Sequence, residues 1–315
     1  MLKSKFLSRL LPTRERNPRQ TKLGNDVGVI GLGLIGSRVA SRLRDAGCRV
    51  WVWSRSPQPV PNFLASAREV AEHAQAVQIF VSDGPALLAA LENMKSALTP
   101  AHVIINSSTV CLEETRAAAA LVTSQGAAFL DAPFTGSRDA AANGELVYYL
   151  GGDPDVAARV ASIMAVSSRL ILPVGAVGDA TVIKLATNMI SAATIEVLSE
   201  ALAVVRASGV SIDGFQAALQ ENLANSGLSQ LKLPAMLSKD FEPRFSLANM
   251  TKDMKAATTL AQSLGFPLPA ISAFLSTAEH LSGTEDRAKD YSVVSEFFSP
   301  NRNAAAPPVS APPAS

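Results

Sequence analysis

Cysteine, histidine and net charge are all scarce in this 315-residue chain, and each scarcity removes a class of function. Two cysteines, Cys48 and Cys111, exclude a disulfide scaffold and a multi-cysteine zinc module, and they point to a reducing compartment. The three histidines, His73, His102 and His280, are scattered, so no metal centre is expected. With 28 Lys+Arg against 27 Asp+Glu the net charge is +1, which gives no electrostatic reason to expect a nucleic-acid partner. No apolar run reaches the ~20 residues needed to span a bilayer, so no membrane association is expected. What is present is an alanine-rich chain, 48% hydrophobic, long enough for two ordinary domains with a sizeable core.

The two ends differ from the middle. Residues 1–25 carry Lys3, Lys5, Arg9, Arg14, Arg16, Arg19 and Lys22 against Glu15 before Asn25. A solvated basic tail, and hence a cytoplasmic protein, is the expectation. The alternative is a transit peptide and an organelle matrix, because Leu2, Phe6 and Leu10 share one face of a helix. No continuous apolar segment follows, so a secretory signal is not expected. Residues 301–315 are dominated by Ala, Pro and Ser, and such a segment cannot bury enough surface to offset its ordering entropy.

Between these ends the first half alternates strand and helix. Asp26–Ile30 is a β-branched run that stops at a glycine, and Ile35, Val39, Ala40, Leu43 and Ala46 follow at helical spacing up to Gly47. Further strands are expected at Cys48–Trp53, Val77–Val81, Val103–Ile105, Ala128–Leu130, Leu146–Leu150 and Leu170–Leu172, with helices at Leu87–Leu98 and Leu112–Thr123. That alternation predicts an α/β domain, a doubly wound parallel sheet over residues 26–178. From Ala180 to about Phe298 only helical periodicity is visible, as in Leu247, Met250, Met254, Ala257 and Ala261. An all-α second domain over residues 179–300 is therefore expected, for substrate binding and dimerisation.

Gly31-Leu-Gly33-Leu34-Ile35-Gly36 lies between the first strand and the first helix. In that context the glycines serve a tight turn, close approach of backbone to a pyrophosphate, and close helix–strand packing. The helix N-terminus then meets the phosphate charge. The second strand ends at Trp53 and is followed by Ser54-Arg55-Ser56. No carboxylate stands where a ribose 2′-hydroxyl is usually read, and a guanidinium with two flanking hydroxyls suits a 2′-phosphate. NADP is the expected cofactor, with NAD the alternative.

Two further segments fall where the strand ends meet the domain junction. In Asp131-Ala-Pro-Phe-Thr-Gly-Ser137, the residues Thr135, Gly136 and Ser137 offer hydroxyls and amides that can converge on a carboxylate; the same residues also make an ordinary polar turn. Lys184 and Asn188 share one face of an apolar helix. Such a lysine either snorkels to water or is desolvated, which lowers its pKa toward the acid–base range.

The order of GLGLIG, Asn106-Ser-Ser-Thr109, DAPFTGS, the helix with Lys184 and Asn188, then Phe245 and Lys252-Asp253 resembles the β-hydroxyacid dehydrogenase family from about Asp26 to Phe298. The family includes 3-hydroxyisobutyrate dehydrogenase and the tartronate, glyoxylate and succinic semialdehyde reductases. The resemblance implies a catalytic Lys184, with Asn188 holding the substrate. It implies a substrate loop at Thr135–Ser137, with Phe245 and Asp253 near the active site. It also implies cofactor contacts at Thr109 and Lys252 and a loop at Val81-Ser82 on the adenosine side.

The pattern is departed from at Ile35, Thr135, Ser137, Ala180 and Thr187, and Asp179 adds a carboxylate. Ser137 resembles the glyoxylate and succinic semialdehyde reductases more than 3-hydroxyisobutyrate dehydrogenase. Lys184 argues against the imine reductases, a branch of similar fold that typically lacks it. The expected activity is interconversion of a small carboxylate-bearing aldehyde and its hydroxy acid. Oxidation of 3-hydroxyisobutyrate and non-catalytic dinucleotide binding are the alternatives, and a homodimer or homotetramer is expected.

Overall fold

The computed structural model describes residues 24–299. The expected basic tail and the Ala/Pro segment therefore lie almost wholly outside the described residues. The chain runs β1 (Asp26–Ile30), α1 (Gly36–Asp45), β2 (Arg49–Trp53), α2 (Ala67–His73), β3 (Ala76–Ile79), α3 (Gly84–Met94), β4 (Val103–Asn106), α4 (Leu112–Thr123) and β5 (Ala128–Asp131). It continues through β6 (Phe134–Thr135), α5 (Arg138–Asn143), β7 (Leu146–Gly151), α6 (Pro154–Ala165) and β8 (Ser168–Gly175). Five further helices follow: α7 (Asp179–Ala207), α8 (Ile212–Gln220), α9 (Gly227–Ser238), α10 (Leu247–Ser263) and α11 (Pro269–Ser282). A 3₁₀ segment, Tyr291–Phe298, ends them.

The eight strands form one sheet in the order β2-β1-β3-β4-β5-β7-β6, with β8 beside β7. The first five are parallel, as α/β alternation requires. β3 and β4 are buried at every position and β1 at all but its first, which is why they read as unbroken apolar runs. Strand order reverses at β1, so the carboxyl end of β1 opens on a crevice suited to a ligand. The doubly wound parallel sheet holds there and gives way beyond β5. β7 is antiparallel to both β5 and β6, while β8 is parallel to β7. The short β6 turns back directly onto β7, and the six residues of α5 are too few for a crossover helix. β8 is also longer than Leu170–Leu172, and β6 was not anticipated.

Apolar side chains fill both faces of this sheet, and a separate core fills the helical region. α7 supplies Ala192, Ile195, Leu198 and Leu202 to that second core, against Leu233 and Met236 of α9, Met250 and Met254 of α10, and Ile271 and Phe274 of α11. Its 29 residues span about 43 Å at 1.5 Å per residue. By length and composition α7 is apolar enough to cross a membrane, contrary to the expectation from the run lengths. It nevertheless buries Lys184, Asn188 and Glu196 against its neighbours, as a core helix does. Glu196 accepts from Thr277 of α11, and burial pushes its carboxyl up to about 7.

Candidate active site

The three motif glycines meet three different constraints. Gly31 has φ +89°, and a Cβ there would stand 2.1 Å from the Phe80 carbonyl oxygen. A Cβ on Gly36 would stand 2.0 Å from the Gly31 oxygen, so close packing of α1 on β1 needs that glycine. At Gly33 a Cβ would meet nothing within 4 Å, leaving the backbone open to an approaching group. Leu34 projects from the turn, and Ile35 is the N-cap of α1 without a capping side chain. The amides of Leu34, Ile35 and Gly36 find no acceptor among the described residues. Free amides at a helix N-terminus, beside an unobstructed glycine, fit a dinucleotide pyrophosphate.

Ser54, Arg55 and Ser56 follow β2 at the edge of this crevice, with Arg55 and Ser56 exposed. Across it, the Val81 amide donates to Ser108 Oγ at 2.9 Å and Ser82 Oγ donates to Asp83 at 2.6 Å. The Ser82 hydroxyl, the Ala86 amide, Lys252 and Arg55 together hold the Asp83 carboxyl below its ordinary range. Arg55, Ser82 and Lys252 thus all lie within electrostatic reach of one carboxylate, Asp83. When bound, a dinucleotide cofactor supplies or accepts a hydride.

At the junction, one continuous chain of polar contacts joins four expected residues to a fifth. Lys184 Nζ donates to Asn188 Oδ1 at 2.9 Å, and Asn188 Nδ2 donates to Asp253 Oδ2 at 2.7 Å. Lys252 Nζ donates to Asp253 Oδ1 at 2.6 Å and to the Thr109 carbonyl, so α10 is tied to the loop after β4. Lys184 does not snorkel: it is only 9% exposed. Burial lowers its pKa to about 8, with Asp253 opposing that shift and Lys252 adding to it. Asp253, at 1% exposure, has both oxygens engaged by Asn188 and Lys252. It orients the Asn188 amide so that the carbonyl oxygen faces Lys184.

The other expected substrate residues are placed by different elements. Thr135 lies on β6 and is exposed, and Gly136 follows with φ +135°. Ser137 is the N-cap of α5, its oxygen accepting from Ala140 N at 3.3 Å, which leaves the hydroxyl proton available to a ligand. Phe245 is half-buried in the loop before α10 and packs edge-on against Tyr291 at 6.2 Å. No hydrogen bond or ring contact links it to Lys184 among the described residues.

One buried group beside this chain escaped the sequence reading as an individual residue. Asp131, the last residue of β5, is fully buried. Its Oδ2 accepts from Gly178 N at 3.2 Å, Thr181 N at 2.9 Å and Thr181 Oγ1 at 2.9 Å. Its Oδ1 has no hydrogen-bond partner among the described residues. Burial raises its pKa to about 6, against the lowering effect of the three donors. The aspartate that opens DAPFTGS was the available signal, but the spacing to Thr181 carries no hint of contact.

Residues 26–178 match the NAD binding domain of 6-phosphogluconate dehydrogenase, and residues 178–297 match the NAD-binding domain of NADP-dependent 3-hydroxyisobutyrate dehydrogenase. The chain is 32% identical to 2-hydroxy-3-oxopropionate reductase of Escherichia coli (strain K12), over 77% of this chain and 86% of that protein. It is 25% identical to the chloroplastic glyoxylate/succinic semialdehyde reductase 2 of Arabidopsis thaliana, over 87% and 77% respectively. The 3-hydroxyisobutyrate dehydrogenase of Mycobacterium tuberculosis, solved with L-serine, has the same fold. Its TM-score is 0.82 at 24% identity, covering 88% of this chain and 99% of that one. Two consecutive NAD(P)-binding matches, and a relative of this identity and coverage, place the chain in the β-hydroxyacid dehydrogenase family, the NAD(P)-dependent oxidoreductases that act on CH–OH groups.

Proposed function

We propose that the chain is an NADPH-dependent reductase that interconverts a small carboxylate-bearing aldehyde and its hydroxy acid. The substrate class is that of glyoxylate, succinic semialdehyde or 2-hydroxy-3-oxopropionate. The observation that carries this reading is the buried Lys184, hydrogen-bonded to Asn188 and lowered to about 8. A protonated amine of that pKa stabilises charge developing on a carbonyl oxygen and gives up its proton near neutral pH. In the oxidative direction the neutral amine takes the proton from the alcohol. Asn188 holds the amine in place. The Thr135 hydroxyl, the Gly136 amide and the Ser137 hydroxyl bind the carboxylate and orient the carbonyl for transfer. A panel of small aldehyde acids, with NADPH and NADH run in parallel, tests the reading. Turnover of at least one of them is expected, and inactivity on all would overturn it.

The same reading includes a homodimer or homotetramer built on the helical region. Ile190, Val197 and Val204 are 68%, 61% and 65% exposed along α7. Their seven-residue spacing keeps them on one stripe of the helix, an apolar seam of the kind that pairs with another helix. Sedimentation at micromolar concentration is expected to show a dimer or tetramer, and Val197→Glu to shift it toward monomer. A monomer at that concentration in the unsubstituted protein would remove the assembly from the reading.

A further inference from the structure

We propose that Asp131 is a positioning residue that fixes the height of Lys184 relative to the substrate loop, an inference that rests on the catalytic reading above. The long helix α7 begins at Gly178, an N-cap with φ +99° and no side chain to cap the first turn. A serine or aspartate there would be strained by that φ, and its Cβ would stand 2.8 Å from Leu112 Cδ1, which would have to shift. An N-cap side chain normally accepts from the second or third helical amide. Here that acceptor comes from another element: the third amide, Thr181 N, donates to Asp131 at the end of β5. The Gly178 amide and the Thr181 hydroxyl converge on the same oxygen, and a carboxylate at this end of a helix also opposes the macrodipole. The Thr181 hydroxyl is shared in turn with Thr115 of α4 at 3.0 Å.

The main chain around Asp131 is held from both sides. Asp131 stands in register with Asn106 of β4 and with Gly151 of β7. The next residue, Ala132, donates to the Asn106 carbonyl at 2.7 Å. Four residues after Asp131 comes Thr135 of the substrate loop, and three residues after Thr181 comes Lys184 on the next turn of α7. A single carboxylate therefore joins the two segments that must be in register for proton donation. No other side chain among the described residues bonds to the backbone of the first turn of α7 from outside that turn and its N-terminal loop. An error of about 1 Å in such a placement costs on the order of 100-fold in rate.

The test is a double-mutant cycle in the full chain with NADPH. Asp131→Asn is expected to lower kcat by about 10- to 100-fold, with KM and cofactor affinity changed far less. Thr181→Val, which removes one donor and keeps the backbone bond, is expected to lower kcat in the same direction by a smaller factor, and it serves where Asp131→Asn does not fold. In a Lys184→Ala background neither substitution is expected to lower the residual rate further, because both act through the amine. Unchanged kcat in folded Asp131→Asn and Thr181→Val, beside an impaired Lys184→Ala, overturns this inference alone. So does the same proportional loss with and without Lys184. Normal turnover in Lys184→Ala overturns the catalytic reading and this inference with it.

Discussion

Lys184→Ala is expected to lower turnover by ~10²–10⁴-fold, the span of a lost general acid, while NADPH affinity stays near that of the unsubstituted protein. The reason for the separation is spatial: the residues proposed to hold the phosphates and ribose, Gly31, Gly33 and Arg55, stand outside the hydrogen-bonded chain through Asn188 and Asp253 in which the amine lies. Lys184→Arg is not expected to rescue, since a guanidinium stays protonated. With the amine at about 8, the reductive rate falls as pH rises through that value and the oxidative rate rises over the same window. Stability carries its own sign. A lysine lowered in the folded state binds fewer protons there than in the unfolded chain between about 8 and its ordinary 10.5. Its burial therefore costs stability in full below about pH 8, and the cost fades as pH approaches 10.5. Lys184→Met, which keeps the volume, is accordingly expected to stabilise the protein at pH 7 by roughly 1–3 kcal/mol while abolishing most activity. A structural lysine would give the reverse, lower melting temperature with normal turnover. Parallel measurement of turnover, cofactor affinity and melting decides between them, and normal turnover in folded Lys184→Ala would sink the assignment.

Cofactor choice is expected to reverse in Arg55→Asp. On the proposed reading, Arg55 of the unsubstituted protein would pair with the 2′-phosphate through charge-assisted hydrogen bonds, and a preference for NADPH over NADH of about 10- to 100-fold is expected. An aspartate in its place repels the phosphate and accepts from a ribose hydroxyl instead. The ratio of kcat/KM for the two cofactors, before and after the substitution, is the measurement. Better use of NADH by the unsubstituted protein would contradict the reading of Ser54-Arg55-Ser56.

The parts of this molecule that were legible in the amino-acid order are those set by local rules. β1 and β4 are short β-branched runs buried on both faces, and the turn at Gly31 needs a positive φ and a neighbour without a side chain. Leu112–Thr123 is a helix over the residues its periodicity indicates. The antiparallel return of β7 was not legible, because β6 is two residues long and has no period to detect. The fate of Lys184 was open for a related reason. Apolar neighbours on one helix cannot say whether a second helix covers the amine, and it is Asp253, 65 residues beyond Asn188, that shows α10 does so. Asp131 and Thr181 are 50 residues apart, on elements whose meeting depends on the whole sheet.

Arg55 stands on an exposed turn with no ion-pair partner among the described residues, whereas Thr109, Lys252, Asp253, Asn188 and Lys184 each hold the next. On the functional reading this divides the molecule into a part that can drift and a part that cannot. One surface substitution at Arg55 changes which cofactor a lineage uses, at a stability cost that exposed positions usually keep within about 0.5 kcal/mol. A change at Lys252, Asp253 or Asn188 takes a hydrogen-bond partner from a neighbour in the chain, and a change at Lys184 removes the proposed proton donor, whereas Thr109 contributes only its main-chain carbonyl. Descendants of this sequence are therefore free to exchange cofactors many times while inheriting one proton donor.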